Sequence, residues 1–155
     1  MAKARRYWLM KSEPDTFSID DLKRRGTEPW TGVRNYQARN FMRDQMQVGD
    51  LAFLYHSSCP EPGVYGVMEI ATPSYPDPTQ FDRKSPYYDA ASTREQPRWH
   101  LVDVKYRRHL RQPVLLSALR ANEARLKGCK LFTAVRLSVM PVSREHWDFI
   151  LSLEK

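Results

Sequence analysis

Long hydrophobic runs are missing from this 155-residue chain. No apolar stretch approaches the roughly 20 residues that a membrane-spanning helix needs, and the basic start 1–6 is not followed by the apolar core of a signal peptide. Cysteine is scarce as well, and Cys59 and Cys129 show no motif spacing, which favours free thiols and a reducing location. We therefore expect a soluble protein without a membrane partner, located in the cytoplasm if the source is bacterial and in the nucleus if it is eukaryotic.

Signatures of nucleotide hydrolysis and of metal binding are also lacking. The chain has only six glycines and no glycine-rich loop of either standard phosphate-binding type. Its histidines and cysteines are scattered, without the paired spacing that metal ligands show. One nucleophile pair is conceivable, His56 with Cys59, but no carboxylate is evident to orient it. We therefore predict a protein that is not an enzyme, with no catalytic residue, no metal and no cofactor.

Basic residues are what the chain has in excess. Its 25 lysines and arginines against 18 acidic residues give a net charge of +7, and arginine outnumbers lysine. A basic domain of this size suits a polyanionic partner, although a GC-rich genome also raises arginine use and many basic proteins bind no nucleic acid. The length and the 41% apolar fraction favour one domain over residues 1–155 with its own core.

Strand and helix patterns alternate irregularly along the chain. They predict strands at 6–12, 51–56, 64–70, 99–107 and 132–140, and helices from the Ser18 cap to Arg25, at 35–47, 114–121 and 122–127, and from the Ser143 cap onwards. Pro141 is expected to end the last strand, and the five prolines of 73–98 indicate an ordered irregular excursion. The order is too irregular for a doubly wound parallel fold. It predicts an α+β domain whose small mixed sheet is closed, or nearly closed, into a barrel.

The most informative segment is Trp30–Asn40. It contains an indole, a phenol, two guanidinium groups and side-chain amides, and it combines with Tyr7–Pro14 upstream and Tyr55–Ser57 downstream. These groups can stack on a flat heterocycle, form hydrogen bonds to its edge and hold a phosphate. No other segment of the sequence resembles a reaction centre.

The motifs of this chain resemble those of the EVE domain family in the PUA-like superfamily. The matching segments follow one another over nearly the whole sequence: Tyr7–Pro14, Trp30–Asn40, Val48–Asp50, Phe53–Ser57, Tyr87–Asp89, Arg98–Trp99 and Arg136–Val139. The resemblance implies a PUA-like β-barrel flanked by helices, with a pocket related to the nucleobase pockets of YTH and ASCH domains. It also implies a reader of modified bases, chiefly modified cytosines in DNA, without an enzymatic reaction of its own.

Nine residues form the predicted binding site for the modified base and its strand. They are Lys11, Ser12, Trp30, Arg34, Asn35, Tyr36, Arg39, Tyr55 and His56. Trp30 would stack on the base, while Ser12 and Asn35 would form hydrogen bonds to it. Arg34 and Arg39 would hold the backbone. The alternatives are a core tryptophan, a simple helix cap at Asn35 and a solvated face for the arginines.

We therefore expect a monomeric module that binds DNA or RNA carrying a modified base. Two other classes of function remain open. One is an enzyme that acts on a nucleotide or small heterocycle, with His56 as its general base. The other is a small-molecule sensor or protein-interaction module, which a weak salt dependence would distinguish from a nucleic-acid binder. The segment Tyr87–Asp89 is expected to be either a lid or a structural plug.

Overall fold

A computed structural model describes residues 4–155 and shows a curled six-stranded sheet, a half-barrel, with helices packed around it. The first three residues of the basic start lie outside the described range. The strands are β1 (Tyr7–Ser12), β2 (Thr27–Pro29), β3 (Leu51–His56), β4 (Gly63–Ile70), β5 (Tyr75–Pro76), β6 (His100–Leu101), β7 (Asp103–Leu115) and β8 (Val139–Val142). The helices are α1 (Ile19–Arg25), α2 (Tyr36–Asn40), α3 (Leu116–Ala121), α4 (Lys130–Thr133) and α5 (Arg144–Ser152). A π-helical turn (Phe41–Gln45) continues α2, and 3₁₀ turns lie at Pro78–Phe81 and Glu123–Leu126.

The main sheet is mixed, as predicted, which together with the helices confirms the α+β class. Its strand order is β2-β7-β4-β3-β1-β8, and β5 pairs with β6 in a small second sheet. Strands β1 and β3 run parallel, whereas the other neighbours are antiparallel. Because parallel strands end at the same edge, Ser12 lies opposite His56, and the residues after both strands meet there.

The core is formed by buried side chains of the sheet strands and of the helices that pack on them. Phe53 in β3 is fully buried and stacks on Trp147 of α5, with the ring centroids 3.8 Å apart. Trp8 of β1 is buried as well, and its indole N–H donates to the buried Asp50 carboxylate at 3.0 Å. This bond satisfies the polar atoms that aromatic packing carries into the interior.

Helix α1 begins and ends as its sequence predicts. The Ser18 side chain accepts a hydrogen bond from the Asp21 backbone N–H, and the Asp21 carboxylate accepts one from the Ser18 N–H. Gly26 follows the helix with a φ of +81°, a conformation that favours glycine. The predicted capping box is therefore confirmed.

The predicted helix at 35–47 is confirmed with a change of type. Asn35 caps it by accepting the Ala38 N–H at 2.9 Å, and the helical residues continue through the π turn to Gln45. Ala38 and Met42 of the predicted apolar stripe are buried. The backbone N–H of Met46 donates to the Phe41 carbonyl and closes the wider turn.

The strand predicted at 132–140 is wrong in its first half. The apolar residues 131 and 132 belong to α4, and pairing with β1 begins only at Val139. Pro141 does not end the strand, because β8 is an edge strand and can lack a backbone N–H on its open side. The strand predicted at 99–107 is interrupted after β6, and β7 then continues to Leu115, so the helix expected from 114 begins at Leu116.

The irregular excursion at 73–98 is organised by buried polar side chains. The Gln80 amide nitrogen donates to the carbonyl oxygens of Asp77 and Trp99 at 2.7 and 2.8 Å. Its oxygen accepts the Ser92 hydroxyl at 2.6 Å. These bonds take the place of a regular ladder within the excursion. Nowhere in the range 4–155 is a helix both long and apolar enough to span a membrane.

Candidate functional site

An open cavity of about 570 Å³ lies at the edge of the sheet where β1 and β3 end. Its walls come from the end of β1, the loop 29–34 after β2, the turn 57–58 after β3 and the segment 135–138 before β8. The volume lies within the range of roughly 300–1,000 Å³ that is typical of small-molecule sites. The cavity can therefore accept a flat heterocycle.

Trp30 forms an aromatic wall of this cavity. Its side chain is 7% exposed, and Phe17 packs against it edge to face with 6.1 Å between the ring centroids. The Trp30 backbone N–H donates to the Val102 carbonyl at 3.0 Å, which fixes the start of the loop. The indole N–H has no acceptor among residues 4–155. Trp30 thus packs on the core with one side and lines the cavity with another.

Gly32 allows the Tyr87 ring to approach the loop closely. Its φ is +89°, and a Cβ atom at this position would lie 2.6 Å from the Tyr87 ring. The Gly32 N–H donates to the Asp77 carboxylate at 2.9 Å. Tyr87 is consequently a fixed wall that packs on the glycine, whereas its neighbour Tyr88 is partly exposed and does not line the cavity.

Arg34 lines the cavity, but its guanidinium donates hydrogen bonds to acceptors within the protein. Its Nε and Nη2 donate to the Tyr87 carbonyl at 3.1 and 2.7 Å, and Nη1 donates to Asp77 at 3.1 Å. The remaining bonds go to the Val33 carbonyl and the Thr79 hydroxyl. All five N–H groups of the guanidinium are therefore engaged. Arg34 positions the loop in this structure, and its contact with a phosphate stays a prediction that requires one of these bonds to be exchanged.

Ser12 and Lys11 place polar atoms at the floor of the cavity. The Ser12 hydroxyl donates to the Phe17 carbonyl at 2.8 Å, so its lone pairs remain free to accept. The Lys11 Nζ donates to the Val135 carbonyl at 3.1 Å and lies 5.7 Å from the Tyr55 ring centroid. Burial lowers the pKa of Lys11. The floor therefore presents a hydrogen-bond acceptor beside an amine donor.

The charges around the cavity leave a positive excess. Four cationic side chains and two carboxylates line it: Lys11, Arg25, Arg34, Arg136, Glu13 and Glu28. Arg25 lies 2.7 Å from Glu28, and Arg34 is paired with Asp77. Arg136 has no ionic partner within the described range 4–155. The uncompensated charge at the rim favours an anionic ligand.

Asn35, Tyr36 and Arg39 lie outside this cavity. The Asn35 oxygen is committed to capping α2, and its side chain borders a second, shallower groove that adjoins the cavity at segment 134–137. Tyr36 is 52% exposed and stacks on Trp99 with the centroids 4.8 Å apart. The Arg39 guanidinium lies 4.7 Å from the Tyr36 centroid and donates to the Arg98 carbonyl. These residues form an aromatic and cationic stack on the surface.

Tyr55 and His56 are buried and do not line the cavity. The His56 Nε2 accepts the Ile19 backbone N–H at 3.2 Å, and its ring stacks on Tyr65 at 4.0 Å. Burial lowers the pKa of His56, which keeps the imidazole neutral. Because its lone pair already holds the start of α1, His56 is not placed to act as a general base. Among residues 4–155, no three His, Cys, Asp or Glu side chains form a group that could hold a metal ion.

Sequence reasoning missed several residues of the cavity. Phe17, Tyr87 and Arg136 line it, and Asp77 holds the loop from outside. Two of these, Tyr87 and Arg136, belong to motifs that carry the family resemblance, so that signal was available. Asp77 has a local signal only for its cap of the 3₁₀ turn at Pro78–Phe81. Its role in holding the loop has none, because Arg34 and Gly32 are 43 and 45 residues away in the chain.

Comparisons with known proteins agree with the fold and the motifs. The EVE domain model matches residues 6–153. Human thymocyte nuclear protein 1 is 45% identical over 96% of this chain and 74% of its own length. A crystal structure of human THYN1 in complex with 5-methylcytosine-containing DNA superimposes with a TM-score of 0.94 at 44% identity, covering 97% of this chain and 98% of that one. A crystal structure from Pseudomonas putida gives a TM-score of 0.92 at 48% identity, covering 96% and 99%. The chain therefore belongs to the EVE domain family.

Proposed function

We propose that this protein is a nucleic-acid-binding module that holds one modified base, a modified cytosine, in the cavity beside Trp30. The observation that carries the proposal is this cavity of about 570 Å³, with an aromatic wall and a positive rim, in a chain that superimposes closely on a relative crystallised with 5-methylcytosine DNA. An aromatic wall, an edge acceptor and a cationic rim are the three groups that binding an extruded base requires.

The chemistry of the floor suits a cytosine. Its exocyclic N4 amino group is a hydrogen-bond donor, and the Ser12 hydroxyl is an available acceptor because its own proton is bonded to Phe17. A substituent at C5 adds contact area beside the Trp30 ring. Stacking one base on an aromatic side chain contributes about 1–3 kcal/mol, and extruding a base from a duplex costs a few kcal/mol. Stacking must therefore be joined by contacts to the strand.

Strand contacts come from the rim and from the surface stack. Arg136 and Lys11 lie at the cavity, and Arg39 lies over the exposed Tyr36 ring. Each phosphate that such a side chain neutralises adds to the salt dependence of binding. A module of this kind binds its ligand in the ground state, and the surroundings of the conceivable nucleophile pair, His56 and Cys59, support that role. The His56 Nε2 already accepts the Ile19 backbone N–H at the start of α1, and Cys59 does not line the cavity.

The location is inferred from the same relatives. The vertebrate proteins are named thymocyte nuclear proteins, which supports a nuclear location for a eukaryotic member. A cytoplasmic location for a bacterial member stays a prediction. Both compartments contain the DNA and RNA that the proposal requires.

A binding titration tests the proposal. Fluorescence anisotropy would compare labelled duplexes that differ only in one central cytosine, either unmodified or 5-methylated, and the corresponding single strands. We expect tighter binding of the methylated DNA and a steep loss of affinity with salt. Equal affinity for the methylated and unmodified oligonucleotides in both forms would contradict base reading. Affinity that does not change with salt would contradict nucleic-acid binding and favour a small-molecule sensor.

A further inference from the structure

The turn 134–137 carries an apolar side chain that no described contact explains. Val135 is 64% exposed, which makes it the most exposed large apolar residue in the range 4–155. Arg136 follows it and is exposed too, without an ionic partner in that range. A single exposed valine is ordinary on a protein surface. What distinguishes Val135 is its position at the cavity beside Arg136.

Val135 and Arg136 stand between two depressions of the surface. Both residues line the cavity that contains Trp30, and both also line the second groove, which Asn35 and Gln37 border on its other side. The turn is therefore a ridge, with the base cavity on one side and the groove beside α2 on the other.

This ridge is held rigidly from below. Leu137 is buried, and its backbone N–H donates to the Ala134 carbonyl at 2.9 Å. The Lys11 backbone N–H donates to the Ser138 carbonyl at 2.8 Å, while its Nζ donates to the Val135 carbonyl at 3.1 Å. The same lysine thus joins the ridge to the floor of the cavity. A ridge fixed in this way loses little conformational entropy on binding.

We propose that Val135 and Arg136 form a wedge that enters duplex DNA beside the cavity and occupies the space left by the extruded base. This inference rests on the proposed function. A base that leaves the stack exposes the apolar faces of its neighbours, and an apolar side chain inserted there offsets part of the unstacking. The guanidinium of Arg136 enters the groove of the DNA beside Val135. There it contacts the phosphates or the base whose partner has been extruded.

The wedge predicts a difference between duplex and single-stranded ligands, because a single strand has no stack to repair. Val135→Ser should weaken binding of a duplex with one central 5-methylcytosine about tenfold, the factor that corresponds to burying one valine side chain. Binding of the methylated single strand should change less than about twofold. Val48→Ser is the matched control. Val48 is 56% exposed and precedes β3, at the end of the strand remote from the cavity, so this variant should bind both ligands like the wild type.

Arg136 is tested in the same way with a charge-matched control. Arg136→Gln should weaken binding of the duplex more than binding of the single strand, whereas Arg144→Gln should leave the affinity for both ligands unchanged. Arg144 begins α5, after the end of β8 that pairs with the start of β1, and so lies remote from the cavity. Emission from 2-aminopurine placed beside the methylated base should rise when the wild type binds and should rise less with Val135→Ser.

The outcomes separate the wedge from the proposed function. If Val135→Ser binds the duplex as tightly as the wild type, or weakens both ligands equally, there is no wedge at this turn and base reading is unaffected. If the wild type binds neither the methylated duplex nor the methylated single strand, the proposed function fails, and the wedge fails with it. Thermal unfolding of the variants shows that they are folded, and the exposed positions of both side chains predict unchanged midpoints.

Discussion

Removing the Trp30 ring is the most direct test of the base cavity. In Trp30→Ala, a bound base loses its aromatic wall, and one lost stack corresponds to about 1–3 kcal/mol. At about 1.4 kcal/mol per factor of ten, the dissociation constant for a methylated oligonucleotide should rise about fivefold to 150-fold. Binding of the unmodified oligonucleotide depends more on phosphate contacts, so it should weaken less and the preference for the modified base should shrink.

The same substitution also removes packing, and this effect must be measured separately. Trp30 is nearly buried and touches Phe17 edge to face. Truncating a fully buried tryptophan to alanine destabilises a protein by about 3–5 kcal/mol, and the open cavity side of Trp30 places its value towards the lower end. Trp30→Leu retains apolar volume without a ring to stack on. It should therefore unfold closer to the wild type and still lose the preference for the methylated base.

The assay combines anisotropy titrations with thermal unfolding of each variant. Tyr88→Ala is the aromatic control, because Tyr88 is partly exposed and does not line the cavity. A folded Trp30→Leu protein that keeps the wild-type affinity and preference would remove Trp30 from the site. Loss of affinity in Tyr88→Ala of the same size as in the Trp30 variants would show that the effect is not specific to the cavity.

Three further substitutions probe the loop, the surface stack and the buried histidine. Gly32→Ala places a methyl group against the Tyr87 ring at a φ of +89°; we expect a loss of about 1–3 kcal/mol in unfolding free energy and weaker binding, measured by denaturant unfolding and anisotropy. Arg39→Gln should weaken the binding of modified and unmodified DNA alike and should reduce the salt dependence of binding by about one phosphate contact. A loss of affinity confined to the modified DNA would instead show that Arg39 reads the base. Burial lowers the pKa of His56 in the folded state, so its contribution to stability is present above the ordinary value of 6.5 and is lost as the pH falls below it. The unfolding midpoint should drop between pH 7.5 and 5.5, and His56→Gln should show a smaller drop.

What could be predicted from sequence were the features encoded within a few residues. The capping box of Ser18 and Asp21 and the Asn35 cap are local signals, and the structure confirms each of them. The strand prediction at 132–140 is wrong in its first half because α4 is only one turn long, and the apolar residues of so short a helix cannot be distinguished from a strand by periodicity. Pro141 does not end its strand as predicted, since the sequence does not show that β8 lies at an edge of the sheet, where a proline is tolerated.

The site was predicted in part for the same reason. Lys11, Ser12 and Trp30 meet at the cavity because β1 and the loop after β2 reach one edge of the sheet, an arrangement that follows from the family resemblance. The sequence does not show which acceptors within the protein the arginine side chains bind. Whether a guanidinium is free for a phosphate depends on acceptors far along the chain. Four of the five hydrogen bonds that Arg34 donates go to residues 77–87.

The excursion at 73–98 acquires a role from these contacts. It supplies the buried carboxylate of Asp77, which accepts hydrogen bonds from both Gly32 and Arg34, and the Tyr87 carbonyl and ring, which fix the same loop from the other side. The loop after β2 is thus held by distant residues rather than by a ladder of its own, and Trp30 takes its place in the cavity wall from that loop. A cavity that is formed before the ligand binds loses little conformational entropy on binding. More of the free energy of stacking therefore offsets the extrusion of the base. The excursion is therefore part of the binding apparatus, although among residues 73–98 only Tyr87 lines the cavity.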